Sequence, residues 1–136
     1  MVVTTRDMHL LRALVEIHSY GGDADAAARL RAELDRAKVV SAEQVPVDIV
    51  TMNSRIVFED ESGTRREVLL VYPPAANGES DRISVLSSEG TALLGLAVGE
   101  TIDWPVPEGG TRRLRIVAVL SQPESIERAA SAQLRA

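Results

Sequence analysis

The sequence predicts an α+β chain: an N-terminal antiparallel helical hairpin, in effect a short coiled coil, followed by an antiparallel β-sheet domain with one short helix. Three observations predict it. The first forty residues are rich in Ala, Leu, Arg, Asp and Glu, hold no proline, and carry glycine only at Gly21-Gly22. Beyond Pro46 the pattern changes to alternating or continuous apolar runs separated by Gly-, Pro- and Asn-containing turns. The chain has 136 residues, 45% of them hydrophobic. That is enough for one core that removes roughly two thirds of the unfolded surface from water.

Thr5 is placed to cap a first helix running to about Ser19, with Met8, Leu11, Leu14 or Val15, and His18 forming its apolar stripe. Tyr20-Gly21-Gly22 stops it. Asp23 or Asp25 caps a second helix through about Val39, in which Ala27, Leu30, Leu34 and Ala37 recur at intervals of three and four. Each arm of about 15 residues would be roughly 22 Å long and project beyond a small domain. Ser41–Pro46 is the expected boundary, because Pro46 biases the residue before it away from helix. The expected division is 1–45 for the hairpin, 46–124 for the sheet domain and 125–136 for the tail.

In the second part, Ser54–Asp60 alternates Ile56 and Phe58 against Arg55 and Glu59, Ser62-Gly63 turns the chain, and Arg66–Tyr72 returns. Pro73-Pro74 and Asn77-Gly78 suggest an irregular connection to a third strand, Arg82–Leu86. Glu89–Leu96 is the helix-compatible stretch of this half, closed by Gly99. Thr101–Val106 and Arg112–Leu120 are joined by Pro107-Glu108-Gly109-Gly110, which has hairpin turn chemistry, and Pro105 belongs at a strand end or edge. Ser125–Ala136 is expected as a frayed helix or disordered tail.

Composition narrows the chemistry. With no cysteine, zinc–thiolate sites, iron–sulfur clusters and cysteine nucleophiles are excluded. The longest apolar run, Val68–Tyr72, is far below the roughly 18 residues of a spanning helix. Arg6, Asp7, His9, Arg12 and Glu16 interrupt any export-signal core, so no membrane association and a cytoplasmic location are expected. The chain holds 15 Lys and Arg against 20 Asp and Glu, a net charge of -5, which disfavours direct nucleic-acid binding. The four aromatics, Tyr20, Phe58, Tyr72 and Trp104, are scattered and give no stacking platform. A protein partner is expected instead.

Several runs are particular: Val50-Thr51-Met52-Asn53-Ser54, Leu70-Val71-Tyr72-Pro73, Ala92-Leu93-Leu94-Gly95-Leu96 with Gly99 following, and Gln122-Pro123-Glu124. Together, over about Met8–Glu124, they resemble the Rnk family of regulators of nucleoside diphosphate kinase, which is related to the transcript-cleavage factors GreA and GreB. The resemblance implies a helical hairpin shorter than in Gre factors and an FKBP-like antiparallel sheet domain. It also implies RNA polymerase as partner, with the sheet domain at the rim of the secondary channel and the hairpin directed into it. No cofactor, metal or enzymatic activity of its own is expected.

Gre factors hold a second Mg²⁺ with an Asp and a Glu three residues later at the hairpin tip, because hard Mg²⁺ needs converging oxygen ligands. Here the tip residues are Gly22, Asp23 and Asp25, with Ala26 three residues after Asp23. The simplest role for the two carboxylates is to cap the second helix and complement its positive end. The Gre-type Ser-Pro-x-Gly docking motif is matched by Ser87-Ser88-Glu89-Gly90, the expected polymerase-binding residues. Ser88 stands where the motif has proline, and serine can cap where proline would preorganise.

Other candidates have plain structural explanations. His9 and His18 are nine residues apart, about 900° of helix, and so lie on opposite faces and share no metal. Thr51 and Ser54 open a strand rather than act as nucleophiles, and Asn53 is placed to bond neighbouring backbone. Arg65-Arg66 and Arg112, Arg113 and Arg115 are expected on a solvated sheet face balanced by Glu59, Glu61 and Glu67. Gly90, Gly95 and Gly99 lack the spacing of a nucleotide-binding fingerprint. Two other functions fit the resemblance less well: a Gre-like cleavage factor using the tip carboxylates, and an FKBP-like prolyl isomerase.

Overall fold

The computed structural model describes residues 1–106 and 109–135. The chain opens with strand β1 (Val2–Thr4), then helices α1 (Thr5–His18) and α2 (Ala24–Asp35) and strand β2 (Lys38–Val40). The cap of α1 is Thr4 rather than Thr5: its hydroxyl accepts from the Asp7 N–H at 3.1 Å. Thr5 has entered the helix, and its hydroxyl donates to the Val40 carbonyl at 3.3 Å. The reason is β1, which keeps the chain extended through Thr4 by parallel pairing with β2, Val2 opposite Lys38 and Thr4 opposite Val40. The same pairing ends α2 at Asp35, short of the expected Val39, because β-branched Val39 and Val40 are taken into the ladder. Asp23 occupies the N-cap position of α2 but makes no capping hydrogen bond, contrary to expectation.

The remaining elements are β3 (Arg55–Asp60), β4 (Arg65–Val71), α3 (Pro73–Ala76), β5 (Arg82–Ser84), α4 (Ser88–Leu93), β6 (Thr101–Pro105), β7 (Thr111–Ser121) and α5 (Pro123–Arg135). The five-stranded sheet has the order β5-β4-β3-β7-β6. It is mixed, not wholly antiparallel: β5 runs parallel to β4, with Leu69 opposite Arg82. The connection through α3 carries the chain back before β5 starts, which a tight hairpin could not do. Pro73 and Pro74 form the first turn of α3, where the missing N–H groups cost nothing, so the expected irregular connection is partly helical. Pro105 ends edge strand β6, as anticipated. Of the expected turn at Pro107–Gly110, the first two residues lie outside those described. The tail forms a helix.

Alternation sets the buried face. Ile56 and Phe58 of β3, Val68 and Leu70 of β4, and Leu114 and Ile116 of β7 are all buried. They join Leu11 and Val15 of α1, Ala27, Leu30 and Leu34 of α2, and Leu93 of α4 in one hydrophobic cluster. The two N-terminal helices are thus seated on the rest of the chain rather than held apart from it. Two close approaches tighten the packing, the first of them at the N-terminal seat. Gly95 has φ of +80°, its carbonyl accepts from the Val2 N–H at 3.1 Å, and a β-carbon there would lie 2.4 Å from Met1 Cγ. Gly90 packs α4 so tightly on the end of β5 that a β-carbon would lie 2.0 Å from the Ser84 carbonyl oxygen.

Chemical denaturation should therefore separate two glycines. Gly90→Ala is expected to cost at least about 1–3 kcal/mol through overpacking. Gly22→Ala, with nothing within 4 Å of the added carbon, should stay within about 0.5 kcal/mol of the parent.

Candidate functional site

The Ser87–Gly90 segment is built around the Ser84 backbone. Ser87 caps α4, its hydroxyl accepting from the Gly90 N–H at 2.9 Å while donating to the Ser84 carbonyl at 2.7 Å. The Thr91 hydroxyl donates to the Val85 carbonyl at 2.7 Å. The helix start thus survives without proline, because a capping hydroxyl supplies the order that a fixed φ would have given. Ser87 is exposed, Ser88 and Glu89 are half-buried, and Gly90 is buried. Glu89 faces Arg66 at 3.3 Å, and the Arg66 guanidinium lies 5.6 Å from the centre of the Phe58 ring. Ser87, Ser88 and the Glu89–Arg66 pair thus lie at the surface, above the buried Gly90.

At the other expected site, Gly21 turns the chain with φ of +104° and Gly22, Asp23 and Asp25 are exposed. Asp23 lies 3.3 Å from His18 Nδ1, which is where its carboxylate is directed instead of to the start of α2. Asp25 sits in the first turn of α2, at the helix's positive end. Among the described residues no group of three or more His, Cys, Asp or Glu is placed to hold a metal ion. Ile17 and Tyr20 beside the tip are 73% and 83% exposed.

Four of the five arginines in the basic clusters, Arg65, Arg66, Arg113 and Arg115, are ion-paired. Arg115 and Arg65 both bond to Glu59, and hold its carboxyl below the usual carboxylate range. Arg113 does the same to Asp103 at 2.9 Å, while Arg55 faces Glu67 at 3.4 Å.

A third site was not visible as such in the sequence. Three of the particular runs, Thr51–Ser54, Tyr72-Pro73 and Gln122–Glu124, converge beside a cleft lined by α1 and α5. The Asp7 carboxylate accepts from the Met52 N–H at 3.1 Å, and the Thr51 hydroxyl donates to Glu124 at 2.7 Å. The Thr51 N–H donates to Ser54 Oγ at 3.0 Å, so the serine, not Asn53, makes the side-chain bond of this turn. Asn53 contributes a left-handed φ of 65° and donates its N–H to the Leu70 carbonyl. Gln122 donates to the carbonyls of Pro46 and Ile49 at 2.8 and 2.9 Å. Beside this knot lies a cleft of about 370 Å³ lined by Arg6, Asp7, Asn53, Tyr72, Glu124 and Glu127, among others. The Tyr72 hydroxyl is buried there without a partner.

Asp7 is 7% exposed. Burial pushes its pKa from 3.8 up to about 6; the Met52 N–H opposes that rise and the nearby Glu124 carboxylate adds to it. Burial also raises the Tyr72 hydroxyl, with Asp7 contributing. The folded chain thus holds the Asp7 proton more tightly than the unfolded one. Its favourable contribution is complete below pH 3.8 and is lost as pH rises through about 6. The full loss is about 3 kcal/mol by linkage. Asp7→Asn keeps an acceptor for Met52 and carries no charge, so urea denaturation at pH 7.5 should show it about 1–3 kcal/mol more stable than the parent. At pH 4 the difference should nearly vanish.

Comparison with known proteins places these sites in a family. A family model described as Rnk N-terminus matches residues 1–40, and one described as transcription elongation factor, GreA/GreB, C-term matches residues 45–121. The regulator of nucleoside diphosphate kinase of Escherichia coli is 40% identical over 126 residues, covering 92% of each chain. Transcription elongation factor GreA of Caldanaerobacter subterraneus subsp. tengcongensis is 36% identical over 93 residues, 68% of this chain and 59% of that longer one. Among solved structures, a prokaryotic transcription elongation factor GreA/GreB from Nitrosomonas europaea shares 40% identity. Its TM-score is 0.73, with 89% of this chain and 99% of that chain covered. With an Rnk-type N-terminus joined to a GreA/GreB C-terminal-type domain, the chain belongs to the family of regulators of nucleoside diphosphate kinase.

Proposed function

We propose that the chain is a transcription regulator that binds RNA polymerase at the rim of the secondary channel. Residues 46–124, the FKBP-like part, dock through Ser87, Ser88 and Glu89. Residues 1–45 form an antiparallel hairpin that points its Gly22–Asp25 tip inward. Cytoplasmic and without cleavage activity of its own, it competes with Gre-type factors for the entrance, and any effect on nucleoside diphosphate kinase levels is indirect.

The observation that carries this reading is the tip. Ala26 stands three residues after Asp23, where the Gre pattern has its second acid, and Asp23 is directed to His18. Two carboxylates so disposed give Mg²⁺ no converging oxygen pair. The names of the GreA and GreA/GreB relatives support a role in transcription. The intact Ser87 cap supports retention of the docking surface despite Ser88.

A prolyl isomerase fits less well, because such a pocket needs clustered aromatic walls. Phe58 lies in the core, Tyr72 lines the acidic cleft, and Trp104 borders a separate cleft between α2, α4 and β6.

Tagged protein incubated with RNA polymerase core should retain the polymerase, release it to excess GreA, and leave a backtracked transcript uncut. Glu89→Lys should weaken retention by tenfold or more, on the order of 1.4 kcal/mol or above. Failure to retain polymerase refutes the proposal; cleavage that Asp25→Asn abolishes would replace it with the Gre-like mechanism.

A further inference from the structure

Helix α5 is held by little. Among the described residues, its side-chain hydrogen bonds to the rest of the chain are Thr51 to Glu124, Arg128 to the Ala42 carbonyl and Ser125 to the carbonyl of the adjoining Gln122. Ile126 and Leu134 are 58% and 89% exposed, so its apolar residues contribute little anchorage. An element with so few buried contacts opens at low free-energy cost. Its first turn nevertheless enters a cleft that contains a buried carboxylate.

Asp7, in the first turn of α1, is hydrogen-bonded by the Met52 N–H and, more weakly, by the Thr4 side chain, and has no cation within ion-pair distance among the described residues. The charged and titratable groups around it are Arg6 from α1, Tyr72 after β4, and Glu124 and Glu127 from α5. Glu43, Glu124, Glu127 and Arg128 line the adjoining cleft. Three carboxylates and one guanidinium therefore meet in the main cleft. Burial, the largest influence, and Glu124 oppose charge on Asp7, while the Met52 N–H, Arg6 and Thr4 favour it.

We propose that Asp7 and Glu124 form an acid-strengthened latch that fixes α5 and the base of α1 to the Thr51–Ser54 turn and loosens as the medium becomes neutral. Protonated Asp7 no longer repels Glu124 and acquires an O–H donor in a cleft that contains the partnerless Tyr72 hydroxyl and the Glu124 carboxylate. Ionised Asp7 loses that donor and restores the repulsion. Opening α5 at neutral pH then relieves a buried charge, whereas opening it in acid relieves nothing. The latch is independent of whether the chain binds RNA polymerase.

Hydrogen exchange, corrected for intrinsic rates, tests this on the full chain. Protection of the α5 amides from Ile126 to Ala132 should fall about tenfold between pH 5 and pH 7.5, as expected when opening restores a raised carboxyl pKa to its solution value. Strand β3 serves as the reference for global opening. In Asp7→Asn the α5 protection should be independent of pH, and in Glu124→Gln, which keeps an acceptor for Thr51, the fall should be shallower. Carboxyl-carbon NMR of the parent chain provides a readout that requires no variant, with an Asp7 midpoint near 6. Equal α5 protection at both pH values, the same fall in Asp7→Asn, or an Asp7 midpoint in the ordinary carboxylate range would each overturn the latch.

Discussion

The hydrogen bond from the Met52 N–H to the buried Asp7 carboxylate is the constraint on which the assembly of the chain depends. A buried N–H must be satisfied, and leaving it unpaired costs on the order of 1–3 kcal/mol. Here the acceptor comes from a helix 45 residues earlier in sequence. The same turn exchanges backbone bonds with β4, Asn53 N–H to the Leu70 carbonyl and Leu70 N–H to the Ser54 carbonyl, and through Thr51 it reaches α5. One four-residue turn therefore joins the helix pair, the sheet and the C-terminal helix. The hydrophobic cluster beneath it runs without a break from Leu11 to Ile116.

This explains how the two parts of the chain act on each other. The β1–β2 pairing and the Val2–Gly95 contact fix the N-terminal helices on the sheet near α4. The direction of the tip is then set by the same body that presents Ser87, Ser88 and the Glu89–Arg66 pair. In the proposed function, the docking residues and the tip are therefore carried by one packed body. The buried Asp7 charge is the cost of this frame, at the junction rather than at either end.

Much of this was legible in the sequence. The helical stripes of Leu11, Leu30 and Leu34, the strands of Ile56 and Phe58 and of Leu114 and Ile116, and the edge position of Pro105 follow from local periodicity and turn chemistry. What escaped was non-local. Lys38–Val40 continues a helical pattern until β1 arrives to pair with it, and Thr4 becomes the cap because that pairing holds it extended. The parallel placement of β5 depends on where α3 returns the chain, which no local pattern states. For the site, the Ser87 cap was readable from residue type, whereas Asp7 looked like one more polar residue of an amphipathic helix. Its signal was indirect: three unusual runs with no chemistry of their own, which the fold brings together around it.

In the proposed function, one face of this chain meets RNA polymerase while its tip enters the channel. Photo-crosslinking from Tyr20, beside the tip, and from Ser87, on the α4 surface, tests it most directly with polymerase core and the full chain. Crosslinks from Tyr20 to the channel wall and from Ser87 to its rim, both lost when GreA is added, are the predicted result. Crosslinks from neither position, or crosslinks that persist undiminished in excess GreA, would contradict it.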